Sequence, residues 1–139
     1  MNLIGRMLEK RCSEHIYLIF RLGIGALFFM LGIQKLFGLW GMPGGAPAAW
    51  SFIWFAGVFE FMIGLSLVTG VLVRLASFFG VIMMLIAYYI GHVAPNGSWN
   101  PAINMGMAAL VFALAFLMTF VKGSGKFGLE YKVLGKEIF

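Results

Sequence analysis

The sequence predicts an all-α protein, an integral membrane four-helix bundle, and three observations carry that expectation. Of its 139 residues 62% are hydrophobic and 11% charged, with a mean hydropathy of +0.97; a soluble domain carries roughly 25% charged residues. Residues 75–121 contain no Asp, Glu, Lys or Arg, and neither do residues 36–59. One helical crossing takes about 20 residues, so the longer run holds two crossings. Finally, the links between apolar stretches alternate between basic and neutral. This composition excludes a disordered chain and argues against a soluble domain.

The spans follow in order as residues 16–36, 50–69, 73–90 and 103–120, all within a single domain covering 1–139. Apolarity along them is continuous rather than striped, as expected of helices surrounded by lipid and by each other. A basic start followed by an apolar stretch also suggests a cleaved leader, with Ala46-Pro47-Ala48 as the cut site. The apolar stretch is too long and the site follows it too late, so an uncut first span is expected.

Charge gives orientation. Arg6, Lys10 and Arg11 precede the first span, Arg74 follows the tight turn at Gly70, and Lys122, Lys126, Lys132 and Lys136 follow the fourth. The links at 37–49 and 91–102 hold no Lys or Arg. The positive-inside rule then places both termini in the cytoplasm of a bacterial-type inner membrane. An even number of crossings requires the same. Trp40, Trp50, Trp54 and Trp99 fall at or near the neutral links, where aromatic belts form. The net charge of +5 serves orientation and contact with anionic lipid headgroups; no nucleic acid is expected.

Few residues can carry chemistry. There is no Asp, one Cys (Cys12) and two His (His15 and His92), so no metal site and no attached haem is expected. Glu60 is the most informative residue. It lies ten residues past Trp50, roughly 15 Å deep at 1.5 Å per residue. A carboxylate at that depth needs a partner or stays neutral. Ala56, Glu60 and Gly64 share one helix face, and the small neighbours let another helix approach closely.

Arg21 and Lys35 lie fourteen residues apart on the first span, about 21 Å in rise and almost four full turns. They therefore project from nearly the same face, one below Glu60 and one above. Arg21 is the expected charge partner, because Lys35 snorkels more easily to the outer interface. His92 and Asn104 are candidates for an outer access route to the same centre. Glu60, Arg21, Lys35, His92 and Asn104 are thus the candidate substrate-binding or proton-handling residues, and Gly70 and Arg74 set the turn and the topology. Catalytic residues are not assigned.

Together these pieces resemble the DoxX family of small membrane proteins. The first span carries Arg21-Leu22-Gly23 and Gly32-Ile33-Gln34-Lys35; the second carries Phe59-Glu60-Phe61 with Gly64, Leu65 and Leu67; the turn reads Gly70-Val71-Leu72-Val73-Arg74-Leu75. The tail from Gly123 to Glu130 is similar to a Gly-Pro-Gly-Arg-Tyr-Ser-Leu-Asp ending, with Ser124, Lys126, Phe127, Gly128 and Glu130 departing from it. The resemblance implies a four-helix membrane protein, with members associated with thiosulfate:quinone oxidoreduction or with redox and detoxification systems.

The leading expectation is a membrane subunit of such a system facing a quinone or small apolar substrate, with no intrinsic cofactor. A small transporter or lipid-binding module using Glu60 is the second reading, and a structural scaffold for a partner protein the third. Expected partners are membrane lipids and a soluble oxidoreductase, with a homo-oligomer left open.

Overall fold

The computed structural model describes residues 3–136, and within them it is all helical. Helix α1 spans Leu3–Phe37, α2 Phe52–Thr69 and α3 Val73–Tyr88. A π-helical turn, Tyr89–Val93, continues α3 into the short α4, Ala94–Asn96. Then follow α5 (Pro101–Asn104), α6 (Met107–Lys122) and α7 (Leu129–Leu134). Three segments are long and apolar enough to cross a membrane: Cys12–Phe37, Phe52–Thr69 and Val73–Asn96; Met107–Lys122 is a shorter apolar helix. The chain is a multi-pass membrane protein.

Three boundaries differ from the sequence expectation by more than two residues, the first span beginning at Cys12 rather than Ile16. The third span does not stop at Ile90 but runs through the π turn to Asn96. The fourth does not start at Ile103. Met105 takes a left-handed backbone (φ 61) and separates α5 from α6, which begins at Met107. Asn104 stabilises that break, its Oδ1 accepting from the Gly106 N–H at 2.8 Å. Gly106 is required there, since a Cβ would stand 2.6 Å from the Tyr88 ring.

The bundle is two close helix pairs, α1 with α2 and α3 with α6, joined mainly through α2 and α3. Glycine makes the first pair possible. A Cβ at Gly25 would come within 2.8 Å of the Leu67 Cβ, and one at Gly57 within 2.9 Å of the Lys35 Cβ. Cβ atoms at Gly32 and Gly64 would strike the backbones of Phe61 and Phe29. Such small-residue contacts let membrane helices gain packing where no hydrophobic force drives them together. In the second pair Gly80 admits the Phe116 ring. Phe28 and Phe116 stack edge to face at 4.7 Å in the core, with Ile63, Leu67 and Met84 around them. Large apolar side chains such as Met62, Val111 and Leu114 point outward, as a lipid-facing surface demands.

The turns α2–α3 and α6–α7 lie at one end of the bundle, called the terminal end below. Gly70 caps α2 with φ 74 and donates to the Ser66 carbonyl at 2.8 Å. Arg74, the second residue of α3, lies just beyond it and is half-buried. The tail folds back over this end. Tyr17 donates to the Gly123 carbonyl at 2.5 Å, and the Leu72 N–H donates to Glu130 Oε2 at 3.0 Å. The opposite, loop end carries the two charge-free links.

Candidate functional site

Glu60 sits on the buried stripe of α2 with Gly57, Ile63, Gly64 and Leu67, and is 2% exposed. Its carboxylate Oε1 pairs with Lys35 Nζ. The register of the α1–α2 crossing selects this partner. The Lys35 Cβ stands beside Gly57, one turn before Glu60, so the lysine stem lies along α2 and ends at the carboxylate. Glu60 Oε2 is buried and has no hydrogen-bond partner among the described residues.

Arg21 is not the partner, contrary to the sequence expectation. It does share a face of α1 with Lys35, but it lies at the terminal end, where it donates to the Ser124 carbonyl at 2.8 Å and packs over Gly70. The two basic residues thus divide their work by depth: Lys35 neutralises the mid-span carboxylate, and Arg21 fastens the tail. The buried hydroxyls Ser77 and Thr119 meet at 2.7 Å, joining α3 to α6 without contributing to the Glu60 site.

Beside the ion pair an open groove of about 680 Å³ runs between α2 and α3. Its walls are apolar, with Phe55, Phe59, Phe79 and Ile82 among them, and the charged or polar side chains lining it are Lys35 and His92. The Lys35 side chain is 27% exposed, and it both pairs with Glu60 and lines the groove.

His92 reaches the groove because of the π turn. Helical spacing along Ser77, Met84 and Tyr88 would put residue 92 next on the buried stripe. The extra residue of the π turn puts Val93 there instead, buried, and leaves His92 half-buried on the groove wall. Its Nδ1 lies 3.1 Å from the Asn104 carbonyl oxygen.

Asn104 itself is buried and saturated. Its amide nitrogen donates to the Ser98 carbonyl at 2.9 Å and to the Tyr88 hydroxyl at 3.4 Å, while its Oδ1 takes the Gly106 N–H. The Tyr88 hydroxyl donates to the Trp99 carbonyl at 2.5 Å. Asn104 therefore positions His92 through its backbone and lines no part of the groove. Of the five candidate residues, Lys35 pairs with Glu60 and shares the groove with His92; Asn104 supports His92 from behind, and Arg21 stands apart.

Tyr88 is not among the candidates the sequence offers; its hydroxyl gains its role only through the folded loop end, between Trp99 and Asn104. Glu130 was read only as a departure in the tail; nothing in its local sequence points to the Leu72 N–H.

The DoxX family model matches residues 16–93, more than half of the chain and all of the Lys35–Glu60–His92 arrangement. The chain belongs to the DoxX family. A similar chain is an uncharacterized protein of Haemophilus influenzae, 35% identical over 82 residues, covering 58% of this chain and 61% of that protein. The match thus spans less than two thirds of that relative's length. No solved structure matches. The matched DoxX segment ends at the last residue of the π turn, so the groove falls entirely inside it, whereas the tail held by Arg21 and Glu130 falls outside.

Proposed function

We propose that this DoxX protein is the membrane subunit of a redox or detoxification system and that it binds a quinone or a similar small apolar molecule in the α2–α3 groove. The observation that carries this reading is the groove's composition: apolar walls ending in one ammonium and one imidazole. Ligand sites of this kind combine a mostly apolar lining with a few placed polar groups, in volumes of about 300–1,000 Å³. The groove lies along the lipid-facing side of α2 and α3, so a membrane-dissolved molecule enters it sideways, tail against the phenylalanines and head toward Lys35.

Lys35 donates to an oxygen of the head, and its bond to Glu60 holds the lysine side chain in place. The pair is formally neutral, which favours an uncharged head over a fatty acid or other anion. Electrons are supplied or taken by a soluble oxidoreductase docked on the membrane subunit. The basic terminal end and the charge-free loop end favour an inner-membrane protein with both termini in the cytoplasm.

A photoreactive azidoquinone, irradiated with the protein in detergent micelles, tests the reading by peptide mapping. Labelling of α2 or α3 residues on the groove, competed by unlabelled quinone, is expected. Labelling confined to the α1–α6 side would contradict it.

A further inference from the structure

We propose that His92 is the specificity-determining acceptor of the α2–α3 groove, and that the groove prefers a ligand head bearing a hydroxyl, such as a phenol or a benzoquinol, over the fully oxidised dicarbonyl form. This inference rests on the reading of the groove as a ligand site.

The tautomer of His92 follows from its neighbour. Nδ1 lies 3.1 Å from the backbone carbonyl of Asn104, and a carbonyl oxygen only accepts. Nδ1 therefore carries the hydrogen, and in the neutral imidazole Nε2 keeps the lone pair. The carbonyl is held in place, because the Asn104 side chain is tied on three sides by Ser98, Tyr88 and Gly106. The Tyr88 ring flanks the imidazole, with centroids 6.4 Å apart and planes 29° from parallel. The ring thus faces the groove with a fixed acceptor.

Lys35 supplies the opposite character. Its ammonium is donor only. A head that reaches both side chains must then offer at least one acceptor, for Lys35, and one donor, for His92. A benzoquinone has two carbonyl acceptors and no donor, so it satisfies Lys35 and covers the Nε2 lone pair without giving it a partner. A benzoquinol or phenol hydroxyl supplies a donor, and its oxygen also accepts. Sites built to hydrogen-bond a hydroxyl discriminate strongly against analogues that lack it, because the polar group left behind is unpaired.

The test uses three probes differing only at the head: a decyl-substituted benzoquinol, the matching benzoquinone and the quinol's dimethyl ether. Binding to the purified full chain is measured by calorimetry under argon. The quinol is expected to bind about tenfold more tightly than the quinone or the ether. In His92→Phe all three should bind alike, at the affinity of the quinone. Equal binding of the three probes by the parent chain would overturn the role of His92 while leaving the groove as a ligand site. Failure of all three to bind would overturn the groove reading itself. If His92→Phe does not fold, the parent's ranking of the three probes decides alone.

Discussion

Lys35 meets Glu60 where α1 and α2 approach most closely, and the same glycines that allow the approach, Gly32 and Gly57, fix which cation the carboxylate receives. The pair is asymmetric. The carboxylate is buried, whereas the lysine side chain is partly exposed and lines the groove. Removing either partner therefore has a different consequence.

Lys35→Met leaves a buried carboxylate without its cation. Breaking a buried pair from one side costs about 3–5 kcal/mol. Lys35→Met/Glu60→Gln removes both charges and should recover much of that loss. Reversible unfolding by dodecyl sulfate titration in mixed micelles checks the ranking: parent most stable, double variant intermediate, Lys35→Met least. A double variant as unstable as Lys35→Met would show that packing, not charge, governs the position.

Gly57→Val inserts a branched side chain where a Cβ alone would already stand only 2.9 Å from the Lys35 Cβ. Overpacking of this kind costs about 1–3 kcal/mol. Here it should also separate the ion pair, so a spectroscopic or cysteine-pair distance between α1 and α2 should lengthen along with the loss of stability. A stable variant with an unchanged distance would mean the helices are not in glycine-limited contact.

The tail is fastened by Glu130, which accepts the Leu72 N–H, and by Arg21 at Ser124. Glu130→Ala leaves the Leu72 N–H without its acceptor, and a hydrogen bond to a charged group contributes about 1.5–3 kcal/mol. Trypsin should then cleave faster at Lys126 and Lys132, while Glu130→Gln, which keeps an acceptor for that N–H, should be cleaved more slowly than Glu130→Ala. Equal cleavage of parent and Glu130→Ala would show that the tail is held elsewhere.

Much of this architecture was legible in the sequence, and the failures have physical causes. The long charge-free runs marked the spans because an apolar helix in lipid needs little else. Glu60 was recognisable as inward-facing because a short side chain at that depth cannot reach water. The choice between Arg21 and Lys35 was not legible: both lie on one face of α1, and only the register against α2, set by Gly32 on Phe61 and Gly64 on Phe29, separates them. The α5–α6 break was hidden because Met105 adopts a left-handed backbone, which in sequence is signalled by glycine or asparagine. The π turn was hidden too, since no residue type demands it. It shifts the buried register by one residue and so decides that His92, not Val93, faces the groove.

Asn104→Ala removes the bonds to Ser98, Tyr88 and Gly106 together. The loop end should loosen, with faster amide exchange across residues 97–106 and a stability loss of about 1–3 kcal/mol from the orphaned Gly106 N–H. Exchange at residues 123–130 should be unchanged, because that region is held by Arg21 and Tyr17. Loosening of both ends would mean that they are coupled through the bundle.

The central claim is that the α2–α3 groove holds a small apolar molecule. Ile82 lines that groove and is 41% exposed, so Ile82→Trp fills the space without entering the core. Native mass spectrometry of the parent and the variant, purified from the same membranes and matched for folding, tests the claim most directly. The parent is expected to retain a quinone-sized adduct that the variant has lost. Equal retention by both proteins, or an adduct on neither, would contradict the assignment of the groove.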